Sequence, residues 1–532
     1  MKKMKKIILL LTVLMAFSCG DKEIEVKRIQ FTSSSEVAKA LMDKVLFNQE
    51  ARRGWFNSVN EDLIDSILTI DPNFAMAKLF DNNGTREENR QSVIFAYENI
   101  NNVTELEAGV IKANYERIIN GNIKKQDKIM DDLINKFPGY YQLHEWSGDI
   151  KNSLDVRQSE KRWEEALEIN PDAFGSIMNL SALHYPTGIN FQMLIENERD
   201  LDKAEKLLIR AQKILPNSSR PSRFLGNVYR AKNDFEKSLA SYNKSLELIE
   251  KYEEGATSSS YANSLLVAGH VYTFQGKYEE GRKYYEQVIN IHTNNSRLNN
   301  VSGAGVMLAE TYVYEKDFSN AVSYLSELQE KIKSFDGETD LQKNGNLTYI
   351  EWEKFLYFGH SQKKEETLKS INKIKGFRDR RLEMILPTAI DERDKERINL
   401  NNSAENISLD IWYNILFGNY LEARNLLEDF SVIAARRLEF NPNALDEYHN
   451  YSGYLNLMEG KPQEAIDSYS RVTKEVLGDD NYHQYFLALA YKAIGNDELS
   501  SSMFTKLAND NFATWQNAIV KNLAKSQIQV NL

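Results

Sequence analysis

The sequence predicts an all-α protein: a right-handed superhelical solenoid of stacked helix-turn-helix repeats, about ten or eleven copies, several of them degenerate. Three observations carry this. A short pattern of small and aromatic residues recurs along the chain at a period of about 34 residues. Prolines close amphipathic stretches at matching places, in Asp71-Pro72, Phe137-Pro138, Asn170-Pro171, Leu215-Pro216 and Asn441-Pro442, because proline cannot continue a helix and turns its predecessor away from the helical region. The 532 residues contain only 9 Pro and 25 Gly, a usage that fits helices better than turn-dense sheets. The length also exceeds what one compact core supports.

Composition narrows the function classes. The chain is 42% hydrophobic, 27% charged and 11% aromatic, with mean hydropathy -0.52. Wholesale disorder and a multi-span membrane protein are both disfavoured. Net charge is -11, and -15 without the four lysines of residues 1–18. That balance argues against generic nucleic-acid binding, which needs a basic face to neutralise phosphates.

Taken in order, residues 1–18 read as an export signal. Lys2, Lys3, Lys5 and Lys6 form a positive start, and Ile7 to Phe17 is an apolar run broken by Thr12. The run is too short to span ~30 Å of hydrocarbon. It ends in Ala16-Phe17-Ser18-Cys19, and Cys19 is the single cysteine of the chain. Small residues before a lone cysteine resemble a bacterial lipoprotein signal. The resemblance implies a lipidated Cys19 and durable membrane anchoring by several acyl chains. Residues 19–35 then read as a flexible tether. Its acidic start, Asp21-Lys22-Glu23-Ile24-Glu25, resembles surface-export signals of Bacteroidetes lipoproteins.

The repeats are most open in two places. Leu225-Gly226-Asn227-Val228-Tyr229 is followed by Asn233-Asp234-Phe235, Ser238, Tyr242 and Ser245. Ala268-Gly269-His270-Val271-Tyr272 is followed by Gly276-Lys277-Tyr278, Gly281, Tyr285 and Val288. Further copies run through Leu308-Ala309 with Tyr312, Gly418-Asn419-Tyr420 with Ala423, Gly453 with Gly460 and Tyr469, and Leu487-Ala488 with Tyr491 and Phe504. This pattern resembles the tetratricopeptide repeat, two antiparallel helices per unit. Small residues such as Ala166 and Ala211 let helices approach, and aromatic residues such as Trp163 fill the adjacent space. No copy buries its apolar face alone, so stacked copies share one core. The weakest copies fall near 36–72, 107–138 and 348–371, and an insertion lies at Tyr185 to Asp200. The closing stretch, Ala508-Asn509-Asp510-Asn511-Phe512 and then Asn517 to Ala524, resembles the last helix of a broad bacterial family of such proteins.

The expected organisation is therefore a signal at 1–18, a tether at 19–35, a solenoid at 36–390, a polar linker or long loop at 391–408, further repeats at 409–508, and a capping helix and tail at 509–532. Trp515 and Ile519, four apart, are expected to cover the last repeat's apolar face.

No phosphate loop and no dinucleotide fingerprint are present. His144-Glu145 begins like a zinc-protease helix, but Gly148-Asp149 does not complete it. The seven histidines are read as partly exposed helix residues, and the carboxylate pairs as solvated helix faces. No cofactor, no metal and no catalytic residue is expected. The reading is a non-enzymatic, membrane-anchored scaffold of the bacterial cell envelope, with a protein or peptide partner and no nucleic acid. The alternative is an envelope binding protein for a small anionic ligand or glycan, or an enzyme with its site in the groove. Such repeats bind along the first helix of each pair, which here places Arg220, Arg223, Asn227 and Arg230 on one helical face, with His270 on the next copy. Arginine forks and an amide suit carboxylates and peptide backbone.

Overall fold

The computed structural model describes residues 26–51, 59–81, 85–185, 194–478 and 480–529. The export signal and Cys19 lie outside the described residues, as does half of the expected insertion, residues 186–193. Among the described residues the chain is built from α-helices and three short 3-10 turns, with no strand. It divides into two compact units, 1–180 and 181–532.

The first unit stacks helical hairpins. Glu36–Glu50 pairs with Val59–Ile70, Glu105–Ile118 with Ile123–Lys136, and Tyr141–Asn152 with Val156–Ile169. The four-residue helix Ala75–Lys78 leads into Arg86–Glu98, so this copy is the irregular one. Thr85 with Glu88, and Thr104 with Glu107, form reciprocal caps that satisfy two backbone donors each.

The stretch expected as a flexible tether is, from residue 27 on, part of this unit's core. Ile29 and Phe31 are buried, and Phe31 meets Phe74 edge to face with ring centroids 6.1 Å apart. Thr32 donates to Glu107 from its backbone N at 2.8 Å and from its hydroxyl at 2.6 Å. Ser33 Oγ donates to Asp71 Oδ2 at 2.5 Å.

The second unit is the longer array. Its hairpins are Ser219–Ala231 with Phe235–Tyr252, Ser259–Phe274 with Tyr278–Asn294, and Leu298–Tyr314 with Phe318–Lys333. Asp340–His360 with Lys364–Ile385, Glu392–Leu416 with Tyr420–Arg437, Asp446–Met458 with Pro462–Tyr469, and Asn481–Ala493 with Asp497–Asn509 complete it. The turn inside each of these hairpins carries one residue of positive φ: Asn233, Gly276, Lys316, Gln362, Gly418, Gly460 or Gly495. The next residue opens the second helix, and Asp234, Asp317 and Asn496 cap it with a side-chain oxygen. At these three positions the turn and the cap are one short motif, whereas Asn419 after Gly418 makes no side-chain cap.

The small-against-aromatic packing holds in both units. A Cβ added at Gly148 would meet the Trp163 ring at 2.3 Å, and one at Gly226 the Tyr242 ring at 2.2 Å. Ser159 Oγ donates to Gly148 O at 2.5 Å, and Ser238 Oγ to Gly226 O at 2.7 Å. Ala166 and Ala211 are fully buried.

Two expectations are corrected here. Residues 391–408 are not a linker: Asp391 caps the 25-residue helix Glu392–Leu416, which buries Ile398, Leu400 and Ala404. Arg378 on the preceding helix reaches Glu405 O at 2.5 Å, and Lys375 reaches Asp410 at 2.7 Å. Residues 509–529 are not a simple end cap either. The helix Trp515–Gln529 runs back across the array inside the second unit. Trp515 meets Tyr482 at 5.4 Å but also Trp412 at 6.0 Å and Trp352 at 5.1 Å. Asn522 Nδ2 donates to Tyr314 O at 2.8 Å. Ala518, Ile519, Val520 and Ala524 lie in the same core as the 298–314 and 340–360 helices.

Candidate functional site

The 515–529 helix packs against first helices of the second unit's hairpins, 298–314, 340–360, 392–416 and 481–493, and so covers their inner face. A cleft of about 280 Å³ opens beside the 219–231 helix. Asn227, Arg230 and Asn233 form one wall, and Lys506, Asn511 and Phe512 the other. The return of the later segment builds it: Asn511 Nδ2 donates to Arg230 O at 3.3 Å and to Asn233 Oδ1 at 2.6 Å. Asn233 tolerates its φ of 61° because a short amide side chain is among the few that enter the left-handed region.

Arg230 is 4% exposed. Its guanidinium makes no hydrogen bond or ion pair among the described residues, and Nη1 is buried without an acceptor. Asn227 Oδ1 accepts from the Tyr242 hydroxyl at 2.7 Å; its Nδ2 makes no hydrogen bond among the described residues. Lys506 Nζ donates to Gln484 Oε1 at 2.7 Å. Asp510 is the one acidic residue of the lining. Its carboxylate already accepts from Asn481 Nδ2 at 2.5 Å and from Phe512 N at 2.9 Å. Arg199, also in the lining, donates through Nε to Leu194 O at 2.6 Å. Lys521 lies next to the cleft. It donates to Asp510 O and to Asn511 Oδ1, and burial pushes its ammonium down to about 8.

The expected basic stripe is thus divided. Asn227 and Arg230 reach the cleft. Arg220 and Arg223 instead flank the Phe224 ring at 5.3 and 5.5 Å, and that ring meets Tyr185 at 5.8 Å. His270 is not a groove surface residue. It is 5% exposed, with Nδ1 2.8 Å from the Tyr285 hydroxyl, and burial, reinforced by Arg230, holds its pKa well below the usual value. Sequence reasoning missed Asn233, Lys506, Asn511 and Lys521. Three of them lie in or near the 508–524 stretch singled out as a closing segment, whose return to the 219–231 helix no local pattern encodes.

The histidines correct a further expectation. His144, His184, His270, His292 and His483 are buried, not partly exposed. His144 Nδ1 lies 3.1 Å from Glu165 Oε2, and Glu145 Oε2 accepts from Ser176 at 2.9 Å. No group of three or more His, Cys, Asp or Glu side chains among the described residues is arranged to hold a metal ion. No described helix is long and apolar enough to cross a membrane.

Residues 217–294 match the tetratricopeptide repeat model. The match covers the hairpin that forms one wall of the cleft and the next hairpin, which holds His270. No curated protein matches the chain. Among solved structures, a tetratricopeptide repeat protein of Parabacteroides merdae is 14% identical, covers 51% of this chain and 93% of its own, with a TM-score of 0.35. Pseudomonas aeruginosa PilF is 17% identical over 47% of this chain and 94% of its own, with a TM-score of 0.29. Yeast Tom70 is 18% identical over 62% of this chain and 66% of its own, with a TM-score of 0.36.

Proposed function

We propose that this chain is a non-enzymatic scaffold that binds a protein or peptide partner while anchored in the bacterial cell envelope through lipidated Cys19. The observation that carries the binding half is the tetratricopeptide stretch 217–294, followed by further helical hairpins. Such arrays offer extended inner and outer surfaces and put their folding energy into stacking. The anchoring half rests on the residues themselves: four lysines, a short apolar run and Ala16-Phe17-Ser18 before the single cysteine. A free thiol in an exported protein is open to oxidation, whereas lipidation consumes it.

In the second unit the 515–529 helix occupies the inner face, so a peptide docks on that face only by displacing it. Two measurements test the proposal. Cross-linking in membranes followed by recovery of the full-length protein should return one reproducible partner, whose capture the repeats and not the anchor determine. Cys19→Ala should abolish acyl labelling and move most of the protein out of the membrane fraction. Retention of both label and membrane association in that variant would remove the anchor from the proposal.

A further inference from the structure

We infer that the cleft between the 219–231 helix and residues 506–514 is a binding site for a small hydroxylated anion, a sugar acid or sugar phosphate. The inference stands apart from the scaffold reading, since it concerns a cleft of small-molecule size and not a surface for a protein.

Charge is the first argument. Arg199, Arg230 and Lys506 line the cleft against one acid, Asp510, whose oxygens already take two donors. The chain as a whole is acidic, at -11, so a local cationic excess is not a by-product of composition. A guanidinium that is 4% exposed with no acceptor for Nη1 is costly, because a desolvated charge needs a partner. An oxyanion in the cleft supplies that partner, and arginine binds carboxylate or phosphate with two parallel hydrogen bonds.

Amide chemistry is the second argument. Asn227, Asn233, Asn481 and Asn511 all line the same cleft. Asn511 commits both ends of its amide to the protein and Asn481 gives its Nδ2 to Asp510, which leaves the Nδ2 groups of Asn227 and Asn233 as donors and Asn481 Oδ1 as an acceptor, the pairing a sugar hydroxyl needs. Asn227 keeps Nδ2 uncommitted while Tyr242 holds its oxygen, so that donor is fixed in direction. Phe512 adds an apolar wall. At about 280 Å³ the cleft is at the low end of small-molecule pockets, too small for a folded partner.

The test is calorimetric titration of the full-length protein with glucose 6-phosphate, glucuronate, glucose and inorganic phosphate. Saturable binding of glucose 6-phosphate or glucuronate, tighter than both glucose and phosphate, is expected. The better of the two identifies the anion as phosphate or carboxylate, and either supports the site. Arg230→Met should weaken that binding by at least roughly tenfold, and Lys506→Gln, at the more exposed wall, by a smaller factor with helicity unchanged. Asn227→Ala should narrow the gap between the sugar anion and phosphate. Equal binding of glucose, equal binding of bare phosphate, no binding of any probe, or unchanged affinity in both the Arg230 and Lys506 variants would each overturn the inference.

Discussion

Gly226 sits where two helices of one hairpin come closest, and nothing larger fits. A Cβ there would lie 2.2 Å from the Tyr242 ring. That ring is fully buried and its hydroxyl is tied to Asn227 at 2.7 Å, so it has nowhere to move. Gly226→Leu should therefore overpack the contact and cost at least ~1–3 kcal/mol, read as a lower denaturation midpoint. It should also disturb the Asn227 wall of the cleft. An unmoved midpoint would mean that the hairpin opens at this point without loss. The glycine, the aromatic and the serine that bonds the glycine carbonyl were all legible in the sequence, because their spacing repeats. The division of Arg220, Arg223, Asn227 and Arg230 was not. Helical periodicity puts the four on one face, but it does not say that Phe224 draws the first two to itself while the later segment encloses the last two.

At the scale of elements, the hairpins were readable and the segments that join or cross them were not. The 392–416 helix looked like a linker because its first half is polar. Over that half only Ile398, Leu400 and Ala404 are buried apolar residues, too few to mark a stripe, and exposed ion pairs such as Arg436 with Glu396 keep the rest of its surface charged. Residues 27–35 looked like a tether because only Ile29 and Phe31 are apolar, yet their alternation places both in the core. The 515–529 helix shows the same limit over a longer range. Its apolar residues signalled burial, but its partners lie on helices about 30 to 200 residues earlier, as Asn522 on Tyr314 and Trp515 on Trp352 and Tyr482 show. Trp515→Ala removes contacts with Trp352, Trp412 and Tyr482 at once. Because Trp515 is half-buried, the cost should be ~2–3 kcal/mol, below the range for a fully buried tryptophan. Leu523→Ala on the exposed side of the same helix should stay within about 0.5 kcal/mol. Equal effects of the two in denaturant titrations would mean that this helix does not hold the inner face through its tryptophan.

At the scale of the molecule, the second unit buries titratable groups of both signs in neutral form, and this bounds its stability from two sides. Burial pushes His292 and His360 down to about 4 and lowers His270 and His483 as well. In the unfolded chain these rings titrate near 6.5. As pH falls from about 6.5 toward 4 the unfolded chain takes up protons that the folded unit refuses, so stability drops on the acid side. The carboxyls act in the opposite sense. Glu353 is 1% exposed, and burial raises it to about 8 against the opposing pull of the Tyr357 hydroxyl beside it. Glu310, 5% exposed, is raised by burial and by Glu353 beside it. In the unfolded chain both lose their protons near 4.5, so the folded unit holds protons that the unfolded chain releases, and stability falls as pH rises from about 4.5 through 8. The two slopes overlap between about 4.5 and 6.5, where they oppose each other, so the denaturation midpoint should peak there and decline toward both ends. Glu353→Gln replaces the protonated carboxyl by an uncharged group of similar shape. It should leave the midpoint near pH 5 little changed and flatten the alkaline decline, while the acid limb, set by the histidines, stays as it was. A variant whose alkaline limb is as steep as the wild type would show that Glu353 is ionised inside the fold, with a compensating cation drawn from among its neighbours.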